Sequence, residues 1–145
     1  MLRNHVKKYT DYELQYAQQR HLYHYNCAQA MLHGANDYYQ LELDPKTMKM
    51  IVPFGGGMCT GSTCGMLTGG TAVIGVLFAE EMPTDNLKMK EVTQYWIEQF
   101  AKEFGDENCS FIKENRPKEE EENCRNLILK AADVLEGVIE GMRNG

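Results

Sequence analysis

Gly55-Gly56-Gly57-Met58-Cys59-Thr60-Gly61-Ser62-Thr63-Cys64-Gly65-Met66-Leu67-Thr68-Gly69-Gly70-Thr71-Ala72-Val73-Ile74-Gly75-Val76-Leu77-Phe78-Ala79 is the stretch on which the fold turns. It opens as a glycine-rich loop and runs, from Met66 to Ala79, into the most apolar segment of the chain. Ser62 or Thr63 is placed to cap a helix from Cys64 to about Ala79. That helix rises about 21 Å, short of the roughly 30 Å hydrocarbon core, so it reads as a buried central helix rather than a membrane span. Gly65, Gly69, Ala72, Gly75 and Ala79 recur at three- and four-residue steps along it. Each interior glycine costs about 1 kcal/mol of helix propensity, and the cost is tolerated where another backbone must come close.

On either side the pattern is helical. Leu14, Ala17, His21, Tyr25 and Ala28 predict one long helix or two abutting ones over residues 10–34, with Gly34 as a stop. Asp44-Pro45 starts a short helix through Met48 and Ile51 that ends near Pro53. A helix over about 85–104 turns Val92, Trp96 (or Tyr95) and Phe100 inward and stops at Gly105, and Asn108 to Lys113 adds a short one. The last helix, about 118–142, carries Cys124, Leu127, Ile128, Ala131, Leu135, Val138 and Met142 on one face. The charge run Arg116 to Glu122 reads as a solvated loop and first turn, where acids complement the helix dipole. Met50-Ile-Val-Pro-Phe54 is the sole strand candidate. The expected fold is all-α, one domain over residues 1–145, a bundle of about five helices.

The chain has 145 residues and a formal charge of −6, from 15 lysines and arginines against 21 acids. That balance excludes a nucleic-acid binder, which needs a basic face to displace counterions, and an anionic membrane surface as partner. A basic protein partner is favoured instead. Met1 leads directly into polar sequence without an apolar signal region, so a cytoplasmic, reducing location is expected. In that setting the five cysteines, Cys27, Cys59, Cys64, Cys109 and Cys124, read as thiols, metal ligands or redox groups.

Familiar cofactor motifs fail in detail. The loop from Gly56 lacks the phosphate-binding lysine, since Ser62 stands in its place, and Thr60 breaks a G-x-G-x-x-G; no nucleotide is expected. Backbone N–H groups of Gly55, Gly56 and Gly57 could still contact an anion or thiolate. C-x-x-C and C-x-x-C-H are both absent, so no haem is expected; Cys59 and Cys64 open a ferredoxin-like spacing that Leu67 ends. What the cysteines share is position. Cys27, Cys64 and Cys124 fall near predicted helix starts and Cys109 beside a short helix, where positive potential favours thiolate. A buried cysteine is, taken singly, more often an inert core residue. His21 and His24, three apart, could share a ligand face but more often lie half-buried, as would His33 and His5. Tyr12, Tyr16, Tyr23, Tyr25, Tyr38 and Tyr39 suit packing or a homodimer face. Met48, Met50, Met58, Met66, Met82 and Met89 read as core filling.

Asn26-Cys27-Ala28-Gln29-Ala30, Phe54-Gly55-Gly56-Gly57-Met58 and Thr63-Cys64-Gly65-Met66-Leu67-Thr68-Gly69, followed by isolated Cys109 and Cys124, resemble the C_GCAxxG_C_C family of redox-active proteins. Met66 stands where the motif usually has alanine, and Cys59 is an additional thiol. The resemblance places the family's four cysteines on Cys27, Cys64, Cys109 and Cys124. It also implies kinship with a domain of split-Soret cytochrome c, a dimeric electron-transfer protein that holds an iron–sulfur centre. Three functions follow. The four cysteines, with or without Cys59, converge to bind an iron–sulfur cluster or zinc. Alternatively a metal-free dithiol exchanges disulfides, with Cys64 attacking and Cys27 as a candidate partner. The third is a dimeric binding module without redox chemistry.

Overall fold

A computed structural model describes residues 1–117 and 124–143. Among these, seven α-helices form an all-α bundle: α1 (Leu2–Thr10), α2 (Cys27–Tyr39), α3 (Pro45–Lys49), α4 (Gly65–Phe78), α5 (Leu87–Phe104), α6 (Cys109–Glu114) and α7 (Arg125–Arg143). The apolar helix α4 is central, packed between α2 and α5 and touching α7, while α1 lies across α2 and α7. Gly65 and Gly69 face α2, where an added Cβ would meet Cys27 and Ala28, and Gly70 sits under the Trp96 ring of α5. The expected close approach is real at Gly65 and Gly69, but Gly75 has no neighbour within 4 Å. Trp96 is fully buried and its indole N–H donates to the Leu67 carbonyl (3.1 Å), which satisfies the one polar group it brings into the core.

The largest departure from the sequence reading lies at the N-terminus. Residues 2–10 form a helix that buries Leu2, Val6 and Thr10. Residues 12–19 form an irregular turn broken at Ala17, where φ is 50°, so no helix runs through residues 10–34. Helix α2 also does not stop at Gly34. It runs on to Tyr39, and Gln40 takes the left-handed capping conformation. Gly34 is there for α1: a Cβ would collide with the backbone and side chain of Val6. A glycine that permits helix contact and one that ends a helix look alike in a sequence.

Elsewhere the elements fall close to expectation. Asp44 caps α3 by accepting from the Thr47 N–H (2.8 Å), with Pro45 in the first turn. Helix α5 buries Val92, Trp96 and Phe100 and ends at Gly105 in the left-handed conformation. Tyr95, the alternative to Trp96, is 41% exposed. Met50 to Phe54 is not a strand; its last three residues form a short 3-10 turn. Helix α7 buries Ile128, Ala131, Leu135 and Val138, and adds Leu129, Ala132 and Ile139 to that face. Its expected first turn and most of the acidic run, residues 118–123, lie outside the described residues.

Candidate redox site

Each of the four cysteines that the resemblance singles out opens, caps or immediately precedes a different helix. Cys27 is the first residue of α2, behind Asn26, which accepts from the Gln29 N–H while the Gln29 side chain accepts from the Asn26 N–H. This reciprocal cap fixes the entry of the helix and therefore the sulfur. Cys64 itself occupies the cap position of α4, in place of Ser62 or Thr63. Cys109 opens α6 behind Asn108, whose side chain accepts from the Phe111 N–H (3.0 Å). Cys124 immediately precedes α7 and its carbonyl accepts from Ile128 N–H (2.7 Å).

Two short backbone links bring two of these starts together. The Cys64 N–H donates to the Glu107 carbonyl (2.8 Å) and the Cys109 N–H to the Ser62 carbonyl (2.6 Å). The glycine loop closes over the same place. Gly56, at φ 61°, directs its N–H to the Cys27 sulfur, and a Cβ on Gly57 would strike that of Cys109. The result is a cavity of about 970 Å³ whose wall includes Cys27, Cys64, Cys109, Cys124 and Gly56. Cys59 is not in that wall. It lies exposed on the outer turn of the loop, its thiol 3.8 Å from the Pro53 carbonyl. Gly55 packs on the Asn26 side chain instead of lining the cavity.

Burial dominates the electrostatics of the Cys27, Cys64 and Cys124 sulfurs. Cys64 receives N–H groups from Met66 and Leu67, as a helix start should provide, yet loss of solvent pushes its thiol up to about 12. Desolvation also raises Cys27, against the Gly56 and Ala28 N–H groups, with the neighbouring Cys124 and Cys109 adding to the rise. Cys124 is raised by burial in spite of the Arg116 guanidinium, which donates to its sulfur at 3.7 Å, and of Lys113. For Cys27, Cys64 and Cys124 the expectation that helix starts make the thiols acidic is thus corrected. The backbone dipoles are present, but too weak to offset desolvation.

Among the described residues, no group of three or more His, Cys, Asp or Glu side chains is placed to hold a single metal ion. His21 and His24 line the cavity from the irregular segment before α2, not from a helix face. His33 instead stacks on Tyr9 and Tyr25, and His5 on Tyr38. The tyrosines pack on one another, with ring centroids 5.1 Å apart for Tyr12 and Tyr25 and 4.6 Å for Tyr16 and Tyr23. Tyr25 joins this cluster to the cavity wall, a connection that sequence spacing did not signal.

The family model "Putative redox-active protein (C_GCAxxG_C_C)" matches residues 25–138, which takes in all four helix-start cysteines. The chain belongs to the C_GCAxxG_C_C family. No curated protein and no solved structure matches it. The match begins just before the Asn26 cap, so helix α1 and the turn after it lie outside the family region. Residues before the matched region, from Thr10 to His24, nevertheless supply part of the cavity wall. No described helix is long and apolar enough to cross a membrane.

Proposed function

We propose that this C_GCAxxG_C_C protein is an electron-transfer protein whose Cys27, Cys64, Cys109 and Cys124 hold an iron–sulfur cluster. The single observation that carries the reading is that four cysteines from four separate helix starts line one cavity. Soft thiolate donors suit iron–sulfur clusters and zinc alike. What favours the cluster over zinc is the resemblance to a domain of split-Soret cytochrome c, a protein that holds an iron–sulfur centre. When bound, such a group accepts and gives back one electron.

The protein's own contribution is positional and electrostatic. The Asn26 cap and the backbone links to Glu107 and Ser62 hold three of the sulfurs on rigid elements. The N–H groups of Gly56, Met66 and Leu67 point at sulfur and stabilise its negative charge once the proton has gone. The same raised thiol at Cys64 weighs against metal-free disulfide exchange led by that residue, because attack requires thiolate. A coordinating metal removes the proton outright and meets no such obstacle.

Protein purified without oxygen from iron-replete cells should contain iron and acid-labile sulfide in equal amounts, with visible absorption that single Cys→Ser changes at positions 27, 64, 109 or 124 abolish. Cys59→Ser should leave both unchanged. Colourless, iron-free protein, whose thiols instead pair reversibly under mild oxidant, would overturn the cluster in favour of disulfide exchange.

A further inference from the structure

We infer that the cysteine cavity also takes a small polyanion, a molecule bearing carboxylate or phosphate groups, against the wall formed by Arg20, Lys113, Arg116 and Arg125. Small-molecule sites commonly occupy about 300–1,000 Å³, and this cavity, at about 970 Å³, lies at the upper end of that range. Four sulfur ligands and the group between them leave part of such a volume unused.

The charge of the wall identifies the class of occupant. Among the described residues, Arg20, Lys113, Arg116 and Arg125 line the cavity against one carboxylate, Glu13, in a chain whose net charge is −6. The cations come from three separate places: the segment before α2, the end of α6 and the start of α7. Arg125 pairs with Asp11 at 3.3 Å, and Arg116 donates to the Cys124 sulfur. Arg20 and Lys113, the latter also acting on Cys124 through its charge, are the remaining cations of the wall, with His21 and His24 adding ring nitrogens to it. Fixed cations gathered around a concavity focus field lines and favour oxyanion groups, which guanidinium grips through paired hydrogen bonds.

Binding needs the cavity but not the cluster, so it is measured by calorimetry on iron-free and iron-loaded protein separately. Pyrophosphate and citrate serve as phosphate and carboxylate probes, with glycerol and with sodium chloride at matched ionic strength as controls. The expected result is saturable binding of one probe or both, weakened about tenfold by Arg20→Gln and again by Lys113→Gln, since each removes a charge-assisted contact. The probe that binds more tightly assigns phosphate or carboxylate. Lys113 is exposed and Arg20 half-exposed, so these variants should keep their helical circular dichroism. Heat no greater than with chloride, or affinities that neither substitution changes, overturn the inference. Anion binding by protein that never takes up iron would defeat the cluster alone and leave the polyanion site standing.

Discussion

At Cys64 two effects of similar origin oppose each other. Its position at the start of α4 turns N–H groups toward the sulfur, and its burial removes the water that would solvate a thiolate. Burial prevails, and this sets an order of reactivity. In iron-free native protein at neutral pH, exposed Cys59 should be alkylated first and Cys64 last, as followed by peptide mass spectrometry over time. The raised thiol also has a sign in stability. Between 9.0 and about 12 the unfolded chain releases the Cys64 proton while the folded one keeps it. Folding stability is therefore intact below that interval and falls as pH rises through it. Urea unfolding of iron-free protein at about pH 8 and about pH 10 should show the decline, and Cys64→Ala should lessen it while the raised Cys27 and Cys124 thiols keep the remainder. Gly65 offers a test of the packing beside these sulfurs. Its missing side chain makes room for the Cys27 sulfur, so Gly65→Ala should destabilise the fold by about 1–3 kcal/mol. Gly75, on the same helix with no neighbour within 4 Å, should show the reverse, with Gly75→Ala gaining about 0.5–1 kcal/mol. Two urea titrations measure both, and equal effects would refute the packing account.

The elements matter through their first turns. Helices α2, α4, α6 and α7 begin at or beside the same cavity, and each presents a cysteine there. Such a convergence exposes unpaired N–H groups around a small volume, which is electrostatically suited to bound negative charge. Loss of a cap should therefore disturb the site as well as the helix. Asn26→Ala removes the bond its side chain accepts from the Gln29 N–H (2.9 Å) and the one its side chain donates to the Val52 carbonyl (3.0 Å). We expect a cost of about 1 kcal/mol in unfolding free energy together with lower iron occupancy, measured on the same preparation. A stability loss with full occupancy would separate the cap from the cluster. The glycine loop is the other connecting element, for it joins the α2 start to the α6 start through Gly56 and Gly57.

Across the whole molecule, the cavity couples parts of the chain that otherwise share little. A group bound by four helices stabilises the folded state by mass action, so iron-loaded protein should melt at a higher temperature than chelator-stripped protein, as read by circular dichroism. Much of this design is visible in one dimension. The apolar run after the glycine loop dictates a buried central helix, the Val92, Trp96 and Phe100 spacing dictates the inner face of α5, and Asp44-Pro45 marks the start of α3. The order of the cysteines, with their flanking motifs, identifies the family. These features are local, set by backbone periodicity and by side chains bonding within their own turn. The rest depends on distant chain. Helix α1 has few apolar residues and is held by the place that Gly34 leaves for Val6, so residues 2–10 alone do not announce it. The thiol pKa values follow from how deeply packing buries each sulfur, and that depth is a property of several helices at once. Helical periodicity and the cysteine pattern belong to the sequence by itself. The cavity, its cationic wall and the suppression of the thiolates arise only when the helices meet, because desolvation and charge proximity are measured through space and not along the chain.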